Sequence, residues 1–491
     1  MIALIATLML TGCWVWVNRK TKPGWAVFVA LALVWLAVMG LDPTHFVQSH
    51  HGMMHSALTA GIVEQGLPPE SPWFAGQPAG YPWGHHVLLA GLEQLGLPTP
   101  LGFTFTHTIA LAVLWAALSF AAGGGRAGAA AVFVALLATS PIELEPRAVP
   151  LFVKFLNANS TPLGLATAAM FVAWLKHPQP HWLVVISVAA GGILYPLVGL
   201  GTALGAGAVI AMGKVPSRSR SMAALAAGSL LPAGYLIWMW SEGVGGSLAL
   251  VGWWTFGRHV VLGGMTAFPL LLLAWRGKMS CNSWVGIIVF FGLYLFFKAP
   301  ADTEYKFLMV VLLIAAPPAS RALCTMKTAG VVLMAAMVFP MALEIQRHTN
   351  PSPPARVALA GNTLLPVEPA ERQLAEWVRT QPENVVLVDS KRDLSVTGRR
   401  SLFVSLADTP QPGWGMRSVD ISVTLEGHSK EEWMARRGMA EALLAGQWSP
   451  EIFNEVGERP VLVVLREDRT VWPGLPRVFS GEAAQVVRLD P

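Results

Sequence analysis

Repeated apolar segments close to 20 residues long are the feature that most limits what this chain can fold into. Such runs include residues 24–41, 101–122, 221–240 and 328–345. A helix of about 20 apolar residues crosses the hydrocarbon core of a bilayer and satisfies its own backbone hydrogen bonds there. Only 13% of the 491 residues are charged, well below the share typical of a soluble domain. The sequence therefore predicts a polytopic α-helical membrane protein.

The positions of Lys and Arg indicate the direction of each span, because short loops rich in these residues stay on the cytoplasmic side. Clustered cations fall mostly at the predicted inner turns, and the apolar runs of residues 1–350 predict about twelve spans. The shorter runs among them include 2–17, 259–275 and 307–320. The run 182–213 is too long for one span and contains Tyr195-Pro196, so it predicts two short helices or a re-entrant pair. We expect a multi-pass protein of the inner (plasma) membrane.

The net charge of +5 does not indicate a nucleic-acid partner, because the Lys and Arg residues are scattered through short loops. The three cysteines lie in or beside apolar segments, without the spacing of a disulfide framework or a metal site. The distribution of Lys and Arg and the position of the cysteines are both typical of a membrane protein.

The composition changes after the Pro-rich segment 351–365, which we interpret as a linker. Residues 366–491 are charged and contain no predicted span. Their patterns predict helices at 368–379 and 430–446 and buried strands at 384–389 and 460–465. The last predicted span ends outside, so we expect an extracytoplasmic α/β domain here.

The polar segment 42–86 interrupts the apolar sequence, and we interpret it as the first extracytoplasmic loop and the main wall of an active site. It contains six of the twelve histidines and no Lys or Arg. His51 and His55 are four residues apart, on one face of a predicted helix at 51–65, and His85-His86 follow. Such a set is suited to a divalent metal. The alternative is ordinary hydrogen bonding in a polar cavity.

Ionisable residues also lie beside other predicted spans. Asp42 directly follows a span, where a carboxylate marks either a functional site or a turn. The second predicted outer loop, residues 141–162, contains Glu143, Glu145, Arg147 and Lys154. Carboxylates and cations in this loop are suited to a general base and a phosphate clamp, and mutual neutralisation is the alternative.

A third polar group, Asp302, Glu304 and Lys306, precedes a late span. A cation at a helix start is unfavourable for the helix dipole, so Lys306 needs either a carboxylate or an anionic ligand. Aromatic residues of the first loop, Tyr81 among them, are suited to stacking on a sugar or to an interfacial belt.

Several motifs resemble the GT-C superfamily of multi-span glycosyltransferases, and its poorly characterised bacterial members most closely. They are His51-Gly-Met-Met-His55, Gly66-Leu-Pro-Pro69, Phe74-Ala-Gly-Gln-Pro78, Tyr81-Pro-Trp-Gly-His85-His86 and Glu304-Tyr305-Lys306-Phe307. The ending, with a final span, a Pro-rich linker and an α/β domain, is similar as well. The resemblance covers nearly the whole chain.

The resemblance implies transfer of a sugar from a polyprenyl-phosphate donor to a lipid, glycan or protein acceptor at the outer face of the membrane. It implies a carboxylate base, for which we expect Asp42 or Glu143. The expected substrate-binding residues are His51, His55, Tyr81, His85, His86, Glu145, Arg147, Lys154, Glu304, Tyr305 and Lys306. No cofactor is assigned, and a divalent metal at the histidines stays an alternative.

One position departs from the family pattern. Relatives often carry Asp where this chain has His51. The departure favours Asp42 or Glu143 as the base, or else a non-catalytic assembly protein on the same scaffold. A lipid or solute transporter is the remaining alternative, although the ionisable residues lie in loops rather than at mid-span, where transport sites lie.

Overall fold

A computed structural model describes much of the chain as two compact units. The described residues are 50–137, 151–156, 159–179, 181–241, 248–299, 303–326, 329–330, 333, 369–390, 399, 401–404, 430–447, 450–466, 475 and 477–491. The helical unit comprises those between 103 and 238 and between 248 and 333; the mixed unit comprises those between 50 and 102, 239–241, and those from 369 onward. Outside the description lie Asp42, Glu143, Glu145, Arg147, Asp302, the linker and the predicted spans 2–17 and 24–41.

The elements are numbered here over the described residues, in chain order. The first nine helices are α1 His50–Gln65, α2 Gly84–Gln94, α3 Thr99–Ala122, α4 Gly125–Leu137, α5 Leu151–Leu156, α6 Thr161–Lys176, α7 Trp182–Leu194, α8 Pro196–Met212 and α9 Arg218–Ser241. Then follow β1 Ala249–Leu250, α10 Trp253–Arg276, α11 Cys281–Phe296, β2 Phe297–Lys298 and α12 Tyr305–Thr325. The last are α13 Pro369–Arg379, β3 Val386–Val388, α14 Lys430–Leu444, α15 Glu451–Val456, β4 Val461–Leu465, β5 Arg477–Ser480 and β6 Gln485–Leu489.

The chain is a multi-pass helical membrane protein. Among the described helices, four are long and apolar enough to cross a bilayer: α3, α9, α10 and α12. Each coincides with a predicted span, and five further apolar helices are 10–17 residues long. The total of about twelve spans stays a prediction.

The long apolar run 182–213 forms two helices, as its sequence predicts. Helix α7 ends at Leu194 and α8 begins at Pro196, whose missing N–H is tolerated in a first helical turn. The two helices pack closely: a Cβ added to Gly199 would overlap the backbone of Gly192. Small residues permit such an approach between apolar helices. The break leaves Tyr195 at the junction of α7 and α8.

Helix α12 lies at the centre of the helical unit. It packs against α4, α10 and α11, and every residue from Lys306 to Ser320 is buried. A helix that is apolar all round is suited to such a position. Its buried first turn therefore places Lys306 inside the unit.

The mixed unit contains a four-stranded sheet with the order β3-β4-β6-β5. Strands β3 and β4 are parallel, while β6 is antiparallel to both β4 and β5. All five residues of β4 are buried, as expected for a central strand covered on both faces. The predicted strands at 384–389 and 460–465 are confirmed by β3 and β4. Strands β5 and β6 and the short helix α15 were not predicted from the sequence.

The first predicted loop contributes to the core of the mixed unit. Trp73 and Phe74 are buried in hydrophobic clusters with residues of β3, β4 and β6. The backbone N–H of Leu402 donates to the carbonyl of Pro72, and that of Ala75 donates to the carbonyl of Leu402, both at 2.9 Å. Leu402 in turn forms a parallel bridge with Leu387 of β3. Loop residues 72–75 thus share one core with the C-terminal residues.

Glu70 of the same loop is bound through several hydrogen bonds. Both terminal nitrogens of Arg459 donate to its carboxylate, as do the hydroxyl of Ser401 and the backbone N–H of Gly76. A carboxylate held by a two-pronged guanidinium has a defined geometry. These contacts anchor the loop on the sheet.

Candidate active site

Lys306, in the first turn of α12, forms the centre of the candidate site in the helical unit. It is only 7% exposed, and its ammonium donates a hydrogen bond to the hydroxyl oxygen of Tyr195. The ammonium also lies 4.3 Å from the centroid of the Tyr195 ring, a cation–π contact. Gly164 of α6 makes room for this tyrosine, because a Cβ at position 164 would lie 2.8 Å from the Cβ of Tyr195.

A second lysine approaches the same region from α5. Lys154 Nζ donates to the hydroxyl of Tyr305 over 3.3 Å and lies 5.0 Å from the Tyr305 ring centroid. The ammonium of Lys306 is 5.8 Å from the same centroid. Both ammonium groups therefore lie near one aromatic ring, and their role in substrate binding stays a prediction.

The two lysines lack an acidic partner in the part of the chain that the structure describes. There, no carboxylate oxygen lies within 4.0 Å of either ammonium. Removing a cation from water is costly unless a counter-charge compensates for it. Two ammonium groups near one tyrosine are suited to an anionic ligand with several oxygen acceptors, such as a phosphate.

Glu304 precedes Lys306 but faces protein groups. One carboxylate oxygen accepts the backbone N–H of Ala299 over 3.2 Å, and the other lies 3.6 Å from His259 Nε2. The His259 ring stacks on Tyr294 with the centroids 4.6 Å apart. Glu304 thus stabilises the turn before α12, and a direct role in substrate binding stays a prediction.

The histidines of the first loop form a buried cluster in the mixed unit. His55 Nδ1 of α1 and His86 Nε2 of α2 are 2.7 Å apart, so one ring donates to the other. The Tyr81 ring packs edgewise on both, at centroid distances of 5.2 and 5.7 Å, and His85 lies 6.0 Å from His86. All three histidines are fully buried. The cluster joins the two helices of the loop.

Burial also sets the charge of His86. It lowers the pKa of His86 to about 3, although a backbone hydrogen bond at Trp83 opposes part of the effect. His86 is therefore neutral near pH 7. Within the described residues, no three His, Cys, Asp or Glu side chains are grouped closely enough to hold a metal ion. The divalent metal accordingly stays an alternative without a ligand set in this part of the chain.

The structure brings the predicted site residues into two groups. Lys154, Tyr305 and Lys306 meet in the helical unit, with Glu304 beside them. His55, Tyr81, His85 and His86 meet in the mixed unit. Asp42, Glu143, Glu145, Arg147 and the side chain of His51 lie outside the described residues, so their roles stay predictions.

Two contacting residues, Tyr195 and His259, were missed by the sequence analysis. Both lie within or beside apolar runs, without a polar neighbour of matching spacing. The one available signal was the Tyr-Pro break in the run 182–213, which places a polar side chain at a helix end within an apolar run.

Comparison with known proteins shows which solved structures have a similar fold. No protein-family model and no curated protein matches the sequence. The apo crystal structure of ArnT from Cupriavidus metallidurans is 15% identical, with a TM-score of 0.53 over 95% of this chain and 98% of that one. The crystal structure of the same protein bound to undecaprenyl phosphate is 14% identical, with a TM-score of 0.51 over the same shares.

A cryo-EM structure is similar as well. The arabinofuranosyltransferase AftD from Mycobacteria is 14% identical, with a TM-score of 0.54 over 94% of this chain and 39% of that one. At these identities the likeness concerns the fold. The chain therefore shares its fold with ArnT and with part of AftD.

Proposed function

We propose that this protein is a glycosyltransferase that moves a sugar from a polyprenyl-phosphate donor to a lipid, glycan or protein acceptor at the outer face of the inner membrane. The observation that carries this proposal is the pair of ammonium groups of Lys154 and Lys306, which lie 5.0 and 5.8 Å from the centroid of the Tyr305 ring. The fold supports it, since one structure of similar fold contains undecaprenyl phosphate. In the proposed arrangement, residues 366–491 form an extracytoplasmic domain after the linker 351–365.

The two lysines match the charge that develops in this reaction. The bond between the anomeric carbon of the sugar and the donor phosphate breaks as the acceptor oxygen bonds to that carbon. The phosphate is a phosphodiester monoanion in the donor, and it departs with the bonding electron pair as the lipid phosphomonoester dianion. Lys306 and Lys154 stabilise this added negative charge. Their electrostatic stabilisation is stronger in a site that excludes water than in one open to it.

The acceptor hydroxyl must lose a proton during transfer. A carboxylate within hydrogen-bond reach takes it, and in this proposal the carboxylate is Asp42, with Glu143 as the second candidate. The Tyr195 hydroxyl has a different role. It holds the Lys306 ammonium in place before the donor arrives, so less conformational entropy is lost on binding.

The test is sugar transfer by membranes supplied with polyprenyl-phosphate sugars. Lys306→Met removes one charge-assisted hydrogen bond, for which we expect an activity loss of about 10- to 100-fold. The matched control is Lys176→Met, because Lys176 is exposed at the end of α6. We expect Asp42→Asn to abolish transfer and Glu143→Gln to retain it. The opposite pair of results would make Glu143 the base.

The same assay separates the transferase from the non-catalytic alternatives. If correctly inserted protein transfers no sugar from any donor tried, the transferase proposal is wrong. Retained binding of polyprenyl phosphate would then favour a lipid-binding assembly protein or lipid transporter on this scaffold. Equal activity of Lys306→Met and Lys176→Met would show that the lysine pair does not bind the donor.

A further inference from the structure

His107 of α3 contacts both ends of the connection that follows Lys154. Its Nδ1 lies 3.0 Å from the carbonyl oxygen of Phe155, and its Nε2 lies 3.0 Å from the carbonyl oxygen of Asn159. The ring is fully buried, with the rings of Phe103 and Phe155 packed edgewise around it. A carbonyl oxygen only accepts and a neutral imidazole has one N–H, so His107 donates to one of these two carbonyls at a time; in the Nε2–H tautomer it donates to Asn159. The imidazole thereby joins the end of α5 to the start of α6.

Asn159 extends this connection to Lys154 itself. Its side-chain amide donates to the carbonyl oxygen of Lys154 over 3.3 Å, while its side-chain oxygen accepts the backbone N–H of Thr161 over 2.8 Å. The backbone of Lys154 is therefore fixed relative to α6. Because α5 has only six residues, its own helical hydrogen bonds give it little independent stability. External contacts of this kind determine where the Lys154 side chain points.

We propose that His107 is a positioning residue that holds Lys154 against Tyr305 and thereby sets the affinity for the phosphate of the lipid donor. The connection runs from His107 through Asn159 to the backbone of Lys154, and from its ammonium to the hydroxyl of Tyr305. This inference rests on the proposed function, because it assigns a purpose to Lys154. His107 itself does not contact the reacting atoms in this proposal.

The test is a double-mutant cycle on binding rather than on activity. The purified full chain in lipid nanodiscs is titrated with polyprenyl phosphate, for the wild type, His107→Leu, Lys154→Met and the double variant of these two. Lys306→Met is titrated beside them. His107→Gln retains an amide donor and serves as the conservative variant. Ser119→Ala is the matched control, because Ser119 is another buried polar residue of α3 and its hydroxyl has no hydrogen-bond partner among the described residues.

We expect His107→Leu to raise the Kd by about tenfold, the upper end of the effect of one lost hydrogen bond. The double variant should bind no more weakly than Lys154→Met alone, because both changes remove the same interaction. His107→Gln should recover part of the affinity, and Ser119→Ala should bind as the wild type does. If His107→Leu fails to fold, the cycle of His107→Gln with Lys154→Met gives the same comparison.

Two other results overturn the inference in distinguishable ways. If Lys154→Met weakens binding while the His107 variants match Ser119→Ala, or if the two losses add, His107 does not act through Lys154 and the phosphate site stands. If neither Lys154→Met nor Lys306→Met changes the Kd, the phosphate site itself is wrong, and the positioning role is wrong with it.

Discussion

The buried ammonium of Lys306 donates a hydrogen bond to the hydroxyl of Tyr195, a residue 111 positions earlier in the chain. Tyr195 lies at the break between the two short apolar helices α7 and α8. Lys306 lies in the first turn of α12, the central helix of the unit. The contact joins a helix end to a cation that the helix dipole disfavours. It explains how Lys306 is tolerated inside the unit.

Tyr195→Phe should weaken donor binding without removing it. The ring that faces the ammonium at 4.3 Å is kept, but the acceptor oxygen is lost. A net contribution of about 1 kcal/mol for one hydrogen bond predicts a rise in KM of up to about tenfold, with kcat changed less. Steady-state kinetics with varied donor concentration measure this. Tyr235→Phe on α9 is the control, and an equal effect of the two changes would contradict the role given to Tyr195.

Gly164→Ala should displace Tyr195 and so affect the site from a distance. The added Cβ would lie 2.8 Å from the Cβ of Tyr195, closer than side-chain atoms pack, and such overpacking costs about 1–3 kcal/mol. We expect a lower thermal unfolding temperature together with weaker donor binding. Gly234→Ala is the matched control, because a Cβ there meets nothing within 4 Å. A Gly164→Ala protein with unchanged stability and binding would show that Tyr195 is not fixed by α6.

The ion pair of Glu70 with Arg459 should stabilise the mixed unit. Their side chains are 13% and 18% exposed, so Arg459→Glu places two carboxylates together with little water and should destabilise the unit by about 2 kcal/mol or more. The exchange Glu70→Arg with Arg459→Glu should restore only part of this, because Ser401 and Gly76 also donate to Glu70.

Thermal unfolding of the full chain in detergent checks this prediction. Arg437→Glu is the control, because its pair with Glu441 is an exposed contact one helical turn apart and contributes only about 0.5 kcal/mol. If Arg459→Glu and Arg437→Glu unfold at the same temperature, the loop is not anchored through Glu70.

His86 should make the mixed unit less stable in acid. Burial lowers the pKa of His86 to about 3, whereas in the unfolded chain it is near its ordinary value of 6.5. The unfolded state therefore binds a proton first, so stability is lost as the pH falls from about 6.5 towards 3. One proton contributes about 1.4 kcal/mol per pH unit in this range. Thermal unfolding of wild type and His86→Phe at pH 7 and pH 5 should show a smaller pH effect in the variant; equal effects would contradict a buried neutral His86.

The C-terminal residues contain a further buried ion pair that the sequence did not reveal. Burial alone would lower the pKa of Arg466, but two hydrogen bonds to Asp389 and the charge of Glu371 outweigh it and raise that pKa. Arg466 follows β4, Asp389 follows β3, and the two strands are parallel neighbours. Neither strand alone indicates the pair, because only their pairing places the two side chains together.

Local patterns predicted the features that depend on neighbouring residues. The break at Tyr195-Pro196, the spans at α3, α9, α10 and α12, and the strands β3 and β4 follow from apolar length, Pro and buried-strand runs. The short strands β5 and β6 were missed, since their pairing depends on distant segments. The sequence pattern indicated that the histidines of the first loop are grouped. The burial of His55 and His86 between α1 and α2 depends on how these helices pack, which sequence spacing does not show.

The most direct measurement is the affinity of the purified chain for polyprenyl phosphate and for the uncharged polyprenol, with Lys154→Met/Lys306→Met beside the wild type and Lys176→Met as the control. We expect the wild type and the Lys176→Met control to bind polyprenyl phosphate at least about tenfold more tightly than polyprenol. The double variant should bind both lipids equally. A double variant that keeps the full preference for the phosphate would contradict the assignment of these two lysines as the donor site.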